Sequence, residues 1–465
     1  MKSEARKYFA AQAWVAGAWA QDVLLEANVA GHWQSVTAGA SAQQRAGATH
    51  LAGPVLPGVV NAHSHAFQRA IVGLTERASS GPQSSDDFWS WRDRMYSAAN
   101  RITPDQLQAI ATQLYGELLA GGYTQVCEFQ YLHNDVNGQH YAAPADMAMA
   151  LVRAAQATGI GLTLLPTLYM RSGFAATSLR EDQRRYASTP DSIIRLLEDV
   201  RRYTADDPRI NVGVALHSLR AVSPATLTEL AQFAKAEGLP VHIHIAEQPQ
   251  EVQDCLAATG QRPIEWLLDH AEVDARWNLV HATQSTPAEL AGIAARSASI
   301  VICPSTEANL GDGVFDLPGY AALQGHWSIG SDSHVTRAWP EELRLLEYSQ
   351  RLTLRQRNVA ARVRGATSTA ATLLEGAVQG GPAASGLPLN GLCVGQRADF
   401  AVLDMQADAM LGIPHDHALD AAVFSSPGAV FETVYVAGKA LPHPHPDRGP
   451  FLAAMRSLWG TKAAG

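Results

Sequence analysis

Lysine is almost missing from this chain: between Lys7 and Lys439 the 465-residue sequence holds only Lys235. Basic charge is carried by arginine instead, no basic run occurs, and the formal net charge is −9. That balance argues against a nucleic-acid-binding surface, which needs a basic face to neutralise phosphates. Cysteine is scarce as well. Cys127, Cys255, Cys303 and Cys393 are scattered without a Cys-x-x-Cys pair, so neither a disulfide framework nor a thiolate zinc site is suggested. No apolar run reaches the roughly 18 residues of a membrane-spanning helix, and no Gly-rich phosphate loop follows a strand pattern.

The N-terminus imitates a leader without completing one. Met1 to Lys7 is basic, Tyr8 to Ala20 is Ala-rich, and Ala18-Trp19-Ala20 looks like a cleavage site. Gln12 and Gly17 interrupt a leucine-free stretch, so the segment is expected to be a first strand of the folded protein, in the cytoplasm. Residues 8–53 then read as short strands around Ala13–Ala18, Val23–Ala27 and His32–Thr37, separated by Gly, Asn and Asp.

The stretch that organises the rest is 54–68, an apolar run broken by Pro57-Gly58 that leads into His63-Ser64-His65. In a strand, residues i and i+2 share a face, so two imidazoles point the same way, a pairing suited to a divalent metal such as zinc. On its own a His-x-His is as readily a solvated or hydrogen-bonded pair. After it, residues 68–101 form a long polar and aromatic segment, with a core from Asp86-Asp87 through Trp89, Trp91 and Arg92 to Tyr96. It reads as a loop over a barrel mouth, where function commonly sits.

Helix and strand patterns alternate from there. Strand patterns fall at 124–131, 160–168, 210–219, 240–247, 278–282, 299–304 and 326–330, with helical patterns at 103–120, 144–158, 191–203, 224–237, 263–270 and 287–295. With the His-x-His strand this makes eight strands and intervening helices, the pattern of an α/β protein built as a parallel (β/α)8 TIM-like barrel. Helical patterns continue to about Glu375, after which a Gly/Pro/Ala-rich stretch (380–388) changes the character and strand patterns return at 395–403 and 430–441. The expected organisation is a catalytic barrel over 56–375 and a small composite β-domain from 1–55 and 376–465. The terminal Ala-Ala-Gly is expected to be disordered.

Barrel enzymes draw their chemistry from the C-terminal ends of strands. Here those ends carry His63 and His65, then His242 and His244 ahead of Ala246-Glu247, then His281, then Ser331-Asp332. Singly, each could be a hydrogen-bonded strand residue or a helix cap. Jointly they point to a metal site, because chance must otherwise place His or Asp at four separate strand ends. A divalent cation held there would lower the pKa of a bound water towards neutrality.

This arrangement resembles the amidohydrolase superfamily, and within it the mononuclear deaminase branch. That branch shows Pro-Gly-x-x-Asn-x-His-x-His, His-x-Ala-Glu, a strand-6 His and a strand-8 Ser-Asp, which appear here as 57–65, 244–247, His281 and Ser331-Asp332. The resemblance implies His63, His65, His244 and Asp332 as ligands of one divalent ion, zinc by the family's habit, with His281 beside the attacking water. His242, placed on the opposite face from His244, is left as structural. Two-metal barrels of this kind bridge their ions with a carboxylated lysine at a strand end. Strand 4 ends His217-Ser218-Leu219-Arg220 and Lys235 sits in a helical pattern, so one ion is expected. In the implied chemistry Asp332 takes the proton of water, His281 steadies developing charge, and Glu247 moves a proton to the leaving nitrogen.

The substrate is the finer question. Asn61 to Arg69, Asp87 to Tyr96, Cys127 to His133 and Leu216 to Val222 resemble the members of that branch that hydrolyse N-formimidoyl-L-glutamate to N-formyl-L-glutamate and ammonia in histidine degradation. The resemblance implies Gln68, Arg92, Tyr131 and Arg220 as substrate contacts. Arginine suits the two carboxylates of a glutamate tail through forked, charge-assisted hydrogen bonds. Arg69 and Arg94 are the alternatives, and Trp89 and Trp91 are read as loop packing. A runner-up is deamination of a cyclic amidine such as guanine, which would call for an aromatic or amide-lined pocket instead of two arginines. A non-catalytic scaffold would be expected to lack ligands or Glu247. The resemblance also implies a small-molecule substrate and a homodimer, although no interface is legible.

Overall fold

The computed structural model describes residues 5–77, 88–425, 430–441 and 447–460. Asp86 and Asp87, and the terminal Ala-Ala-Gly, lie outside these residues.

The apolar run that leads to His63 divides at Gly58. Val55–Pro57 belongs to one sheet and β1 (Val59–Ser64) opens another. A Cβ on Gly58 would come within 2.5 Å of Thr124 Oγ1 and 2.8 Å of Asp399 Cβ, so only glycine lets the chain pass between the two sheets.

From β1 the second sheet continues through β2 (Tyr123–Gln130), β3 (Gly161–Leu168), β4 (Val214–Ser218), β5 (Val241–Ile245), β6 (Trp277–His281), β7 (Ser299–Ile302) and β8 (His326–Ile329), in that order and all parallel. Ile210–Val212 adds a short segment beside β3. Nearly every residue of these strands is buried, as befits a parallel sheet clothed in helices. The expected barrel is present, and its seam closes where the chemistry is. Ser64 bridges to Asp332, Asp332 N–H donates to His63 O at 3.0 Å, and His65 N–H donates to Asp332 O at 3.3 Å. Asn61 adds a side-chain clasp, accepting from Ser331 N–H at 2.9 Å and donating to Ser331 Oγ at 2.7 Å.

Several surrounding helices start with a Ser or Thr cap followed by proline: Thr103-Pro104, Thr189-Pro190, Ser223-Pro224 and Thr286-Pro287. Each cap hydroxyl accepts from the N–H three residues on, and the proline occupies a position whose N–H would be unpaired anyway. The aromatic segment expected as a loop is instead helical over Phe88–Ala99. Helices at Pro249–Thr259, Pro304–Leu310 and Arg448–Trp459 were not anticipated.

One helix, Thr369–Ser385, spans residues 375–376 and ends inside the Gly/Pro/Ala-rich stretch, at Gly386. Its small residues allow a close approach, since a Cβ on Gly380 would lie 2.1 Å from Trp327 O. The last carbonyls of a helix lack partners within it. Here Ala383, Ala384 and Ser385 accept from side chains near the strand N-termini: Asn278 (2.9 Å), His242 (2.8 Å), Asn211 (2.7 Å) and Thr163 (3.1 Å). The helix end thereby plugs the bottom of the barrel.

Both chain ends build the other sheet, as expected. Its order is Lys439–Leu441, Phe431–Val436, Phe400–Leu403, Val55–Pro57, Arg6–Val15, Ala18–Ala27 and Trp33–Thr37. The first strand starts earlier than expected, and Ala13–Ala18 straddles a hairpin turn at Ala16 (φ 48°) and Gly17 (φ 79°), the positive-φ pair of a tight two-residue connection. Ala18-Trp19-Ala20 lies in the second strand, with Trp19 edge-on to Trp14 at 5.1 Å. Among the described residues no helix is long and apolar enough to cross a membrane.

Candidate active site

Three strand ends, those of β1, β5 and β8, deliver three imidazoles and a carboxylate to one point at the C-terminal mouth. His63 Nε2 lies 3.1 Å from His65 Nε2 and 3.0 Å from His244 Nε2. Asp332 Oδ1 lies 3.5 Å and 3.4 Å from the first two. All four residues are buried.

Hydrogen bonds on the far side of the rings decide what these nitrogens are. His65 Nδ1 is 2.9 Å from the Phe129 carbonyl, and His244 Nδ1 is 3.0 Å from the His217 carbonyl. A carbonyl only accepts, so both Nδ1 atoms carry the proton and both Nε2 atoms present bare lone pairs. Burial pushes all three imidazoles down, His63 to about 3, which keeps them neutral. Lone pairs packed this closely against a carboxylate oxygen are unsatisfied unless a cation sits among them. Ligands about 2.0–2.1 Å from a tetrahedral zinc lie about 3.3 Å apart, close to the separations here, so the residues fit a divalent ion.

His281 stands beside this group, its Nε2 3.7 Å from both Asp332 Oδ2 and Glu247 Oε1. Its Nδ1 faces Glu307 Oε1 at 3.3 Å. Burial alone would lower the imidazole, but Glu247, then Cys303 and Glu307, outweigh it and hold His281 well above its usual value. Glu247 is itself pushed up to about 7, chiefly by burial, with Asp332 and Glu251 adding to the rise. The backbone is strained here: Ala246 (φ 51°), His281 (φ 72°) and Asp332 (φ 44°) lie in the left-handed region, at a cost of about 1–2 kcal/mol each.

The four residues expected to touch substrate line one pocket with His65, His244 and Asp332. Gln68 Nε2 lies 3.3 Å from Tyr131 Oη, while Gln68 Oε1 has no partner. Arg220 is largely buried, and its nearest carboxylate is Glu251, at 4.0 Å. The Arg92 guanidinium rests 4.3 Å from the Trp89 ring and 5.4 Å from Tyr96, with a buried Nε that has no partner. Trp89 therefore packs beneath an arginine, whereas Trp91 lines the pocket. The two alternative arginines are engaged elsewhere. Arg69 forks onto Glu117 at 2.7 and 2.9 Å, and Arg94 donates to the carbonyls of Thr75 and Arg77.

His242 corrects an expectation. Strand alternation places it on the same inward face as His244, one layer deeper, where Nε2 meets the Ala384 carbonyl. It remains structural because of depth, not direction.

Other residues in and around the site went unassigned from sequence. His217 and Tyr169 line the pocket with ring centroids 4.2 Å apart. Glu251 accepts from the N–H groups of Ala246 and Glu247 at 3.2 and 3.1 Å. Glu128 accepts from Ser64 Oγ and Ala66 N–H, both at 2.6 Å. Glu128 and His217 sit inside motifs already singled out. Glu251 and Glu307 carry no local signal beyond lying one turn past a strand end.

The amidohydrolase family model matches residues 55–441. Formimidoylglutamate deiminase of Pseudomonas aeruginosa is 43% identical over 93% of this chain and 93% of its own. A crystal structure of an amidohydrolase from Brucella melitensis superposes with a TM-score of 0.89 at 41% identity, covering 97% of this chain and 99% of that one. An adenosine deaminase from Xanthomonas campestris, with bound zinc, shares the fold at a TM-score of 0.79 and 23% identity over 97% of each chain. With the first of these relatives matched across nearly its whole length and the family model spanning both the barrel and strands of the small sheet, this chain belongs to the amidohydrolase family.

Proposed function

We propose that this protein hydrolyses N-formimidoyl-L-glutamate to N-formyl-L-glutamate and ammonia, a step of histidine degradation. The carrying observation is one pocket that brings His65, His244 and Asp332 of the candidate metal-ligand group together with Arg92 and Arg220, suiting a substrate with both a reactive carbon and carboxylates. The similarity to formimidoylglutamate deiminase supports the same reading. One zinc ion held by His63, His65, His244 and Asp332 would activate a water and polarise the formimidoyl group. Asp332 takes the proton of the water as its oxygen bonds to the formimidoyl carbon. His281, aimed by Glu307, stabilises charge on the tetrahedral carbon's substituents. Glu247 carries protons to the imino nitrogen, the carbon–nitrogen bond breaks, and nitrogen leaves as ammonia, both its added protons having come from water. Arg92, Arg220, Gln68 and Tyr131 bind and orient the rest of the molecule.

The finer readings go with it: a single zinc per chain, a homodimer, a cytoplasmic location, and a division into a 56–375 barrel and a composite 1–55 plus 376–465 domain. Metal analysis and sedimentation equilibrium test the first two. The deciding experiment is ammonia release by the zinc-loaded protein from N-formimidoyl-L-glutamate, with N-formimidoyl-glycine and guanine in parallel. Turnover of the glutamate compound alone is expected. Activity on guanine with none on the glutamate compound would overturn the substrate while keeping the metal chemistry.

A further inference from the structure

Gln183 sits in a short turn of 3-10 helix, Glu181–Tyr186, in the connection after β3, and is buried. Its Nε2 lies 2.9 Å from Tyr169 Oη and 3.2 Å from Tyr96 Oη. The amide orientation is fixed, because Gln183 Oε1 accepts from the N–H of Arg180 at 3.1 Å. An NH2 group only donates, so both phenol oxygens are acceptors here and both O–H protons point elsewhere. One hydroxyl can donate to the other, but that leaves one O–H without an acceptor. Both rings line the pocket beside Arg92 and Arg220, and neither guanidinium can accept a hydrogen bond. Glu247 and Asp332 also line the pocket, but neither is hydrogen-bonded to these hydroxyls, and an anion held by the two guanidiniums would accept from the remaining O–H.

We infer that Tyr96 and Tyr169, oriented by Gln183, form a hydroxyl clamp for one carboxylate of the substrate alongside the arginines. This rests on the deimination reading above and extends it to residues that determine specificity. Gln183 is the positioning residue. It joins the end of β3, which carries Tyr169, to the helix Phe88–Ala99, which carries Tyr96 and Arg92. Neighbouring bonds latch the same turn to that helix: Asn100 Nδ2 donates to Asp182 O at 2.9 Å, and Arg185 donates to the Ala99 carbonyl. The two hydroxyls thereby come from the end of β3 and from the helix Phe88–Ala99, neither of which supplies a candidate metal ligand.

The test compares kcat/KM of the zinc-loaded protein for N-formimidoyl-L-glutamate and for two analogues that each lack one carboxylate, 4-(formimidoylamino)butanoate and 2-(formimidoylamino)pentanoate. In the double variant Tyr96→Phe/Tyr169→Phe, the preference for the dicarboxylate over one analogue is expected to fall at least about tenfold, because a site built to hydrogen-bond a group loses its discrimination with the donors. Gln183→Met should show part of the same loss, in KM rather than kcat. Should the double variant not fold, Tyr169→Phe alone carries the comparison. An equal loss on all three substrates, or an unchanged preference, would overturn the clamp while leaving the deimination reading in place. Wild-type silence on all three would overturn that reading and the clamp with it.

Discussion

Asp332 performs three tasks with one side chain and its own backbone. Its carboxylate faces the histidine cluster, its second oxygen faces His281, and its N–H and C=O join β8 to β1 across the barrel seam. Replacing it with Asn keeps the shape and the backbone bonds but removes the charge and the proton acceptor. Asp332→Asn is therefore expected to lower kcat by at least about 10³-fold, the upper range for a lost general base, with the fold intact by circular dichroism. Near-normal turnover would remove Asp332 as the acceptor. Arg220 has a different role. It lines the same pocket as the cluster and has no close carboxylate, Glu251 being 4.0 Å away. Arg220→Met keeps the buried stem and deletes the fork. The loss of a charge-assisted contact, about 2 kcal/mol, corresponds to roughly thirtyfold in kcat/KM, expressed mainly as a raised KM. An unchanged kcat/KM would take Arg220 out of the binding site.

At the scale of elements, the loops after the first and last barrel strands are held by a single carboxylate. Glu117, on the helix Pro104–Ala120, receives Arg69 from the loop after β1 and Arg337 from the loop after β8, at 2.7 and 2.9 Å. Burial pushes Glu117 up, but the two guanidiniums and Gln113 outweigh it and hold the carboxyl below its usual range. A carboxyl depressed in the folded state binds fewer protons there than in the unfolded chain. Its stabilisation is therefore present above the ordinary carboxyl pKa and is lost as pH falls through the folded value. Glu117→Gln is expected to cost about 2 kcal/mol near pH 7, between an exposed pair and a buried one, and the gap in melting temperature should narrow as pH falls through the depressed folded value. A gap that persists in acid would assign the effect to packing. Such ties were invisible in the sequence, because Arg69, Glu117 and Arg337 share no local pattern. The barrel was legible, since short apolar runs alternate with helical patterns and several helices announce themselves with Ser-Pro or Thr-Pro. The histidines were legible for a related reason: their spacing and their place at strand ends are local facts. The errors came where tertiary packing overrides composition. The Gly380–Pro388 stretch reads as a change of character after the helical patterns, yet a helix continues into it and its small residues let the helix end reach the barrel floor. Residues 88–99 read as a loop, yet their aromatic side chains build a helix over the pocket.

For the molecule as a whole, the cluster is a cross-link between distant parts of the chain. His63 and His65 come from β1, His244 from the fifth strand, and Asp332 from beyond the last, so an ion held by all four ties the barrel across its seam and its diameter. The unfolded chain has no such site, so binding adds to stability by mass action, about 4 kcal/mol when free ion exceeds its dissociation constant a thousandfold. With an unfolding entropy near 2.1 cal/mol/K per residue, a chain of 465 residues shifts its Tm by about 1 °C per kcal/mol. Stripping the metal with a chelator is therefore expected to lower Tm by about 4 °C and to abolish ammonia release, with both restored by stoichiometric zinc. Asp332→Asn, short of one charged ligand, should show a smaller zinc-dependent rise. Equal Tm values with and without zinc, in a protein shown by metal analysis to have lost and regained the ion, would mean that the four side chains do not hold it together in the native state.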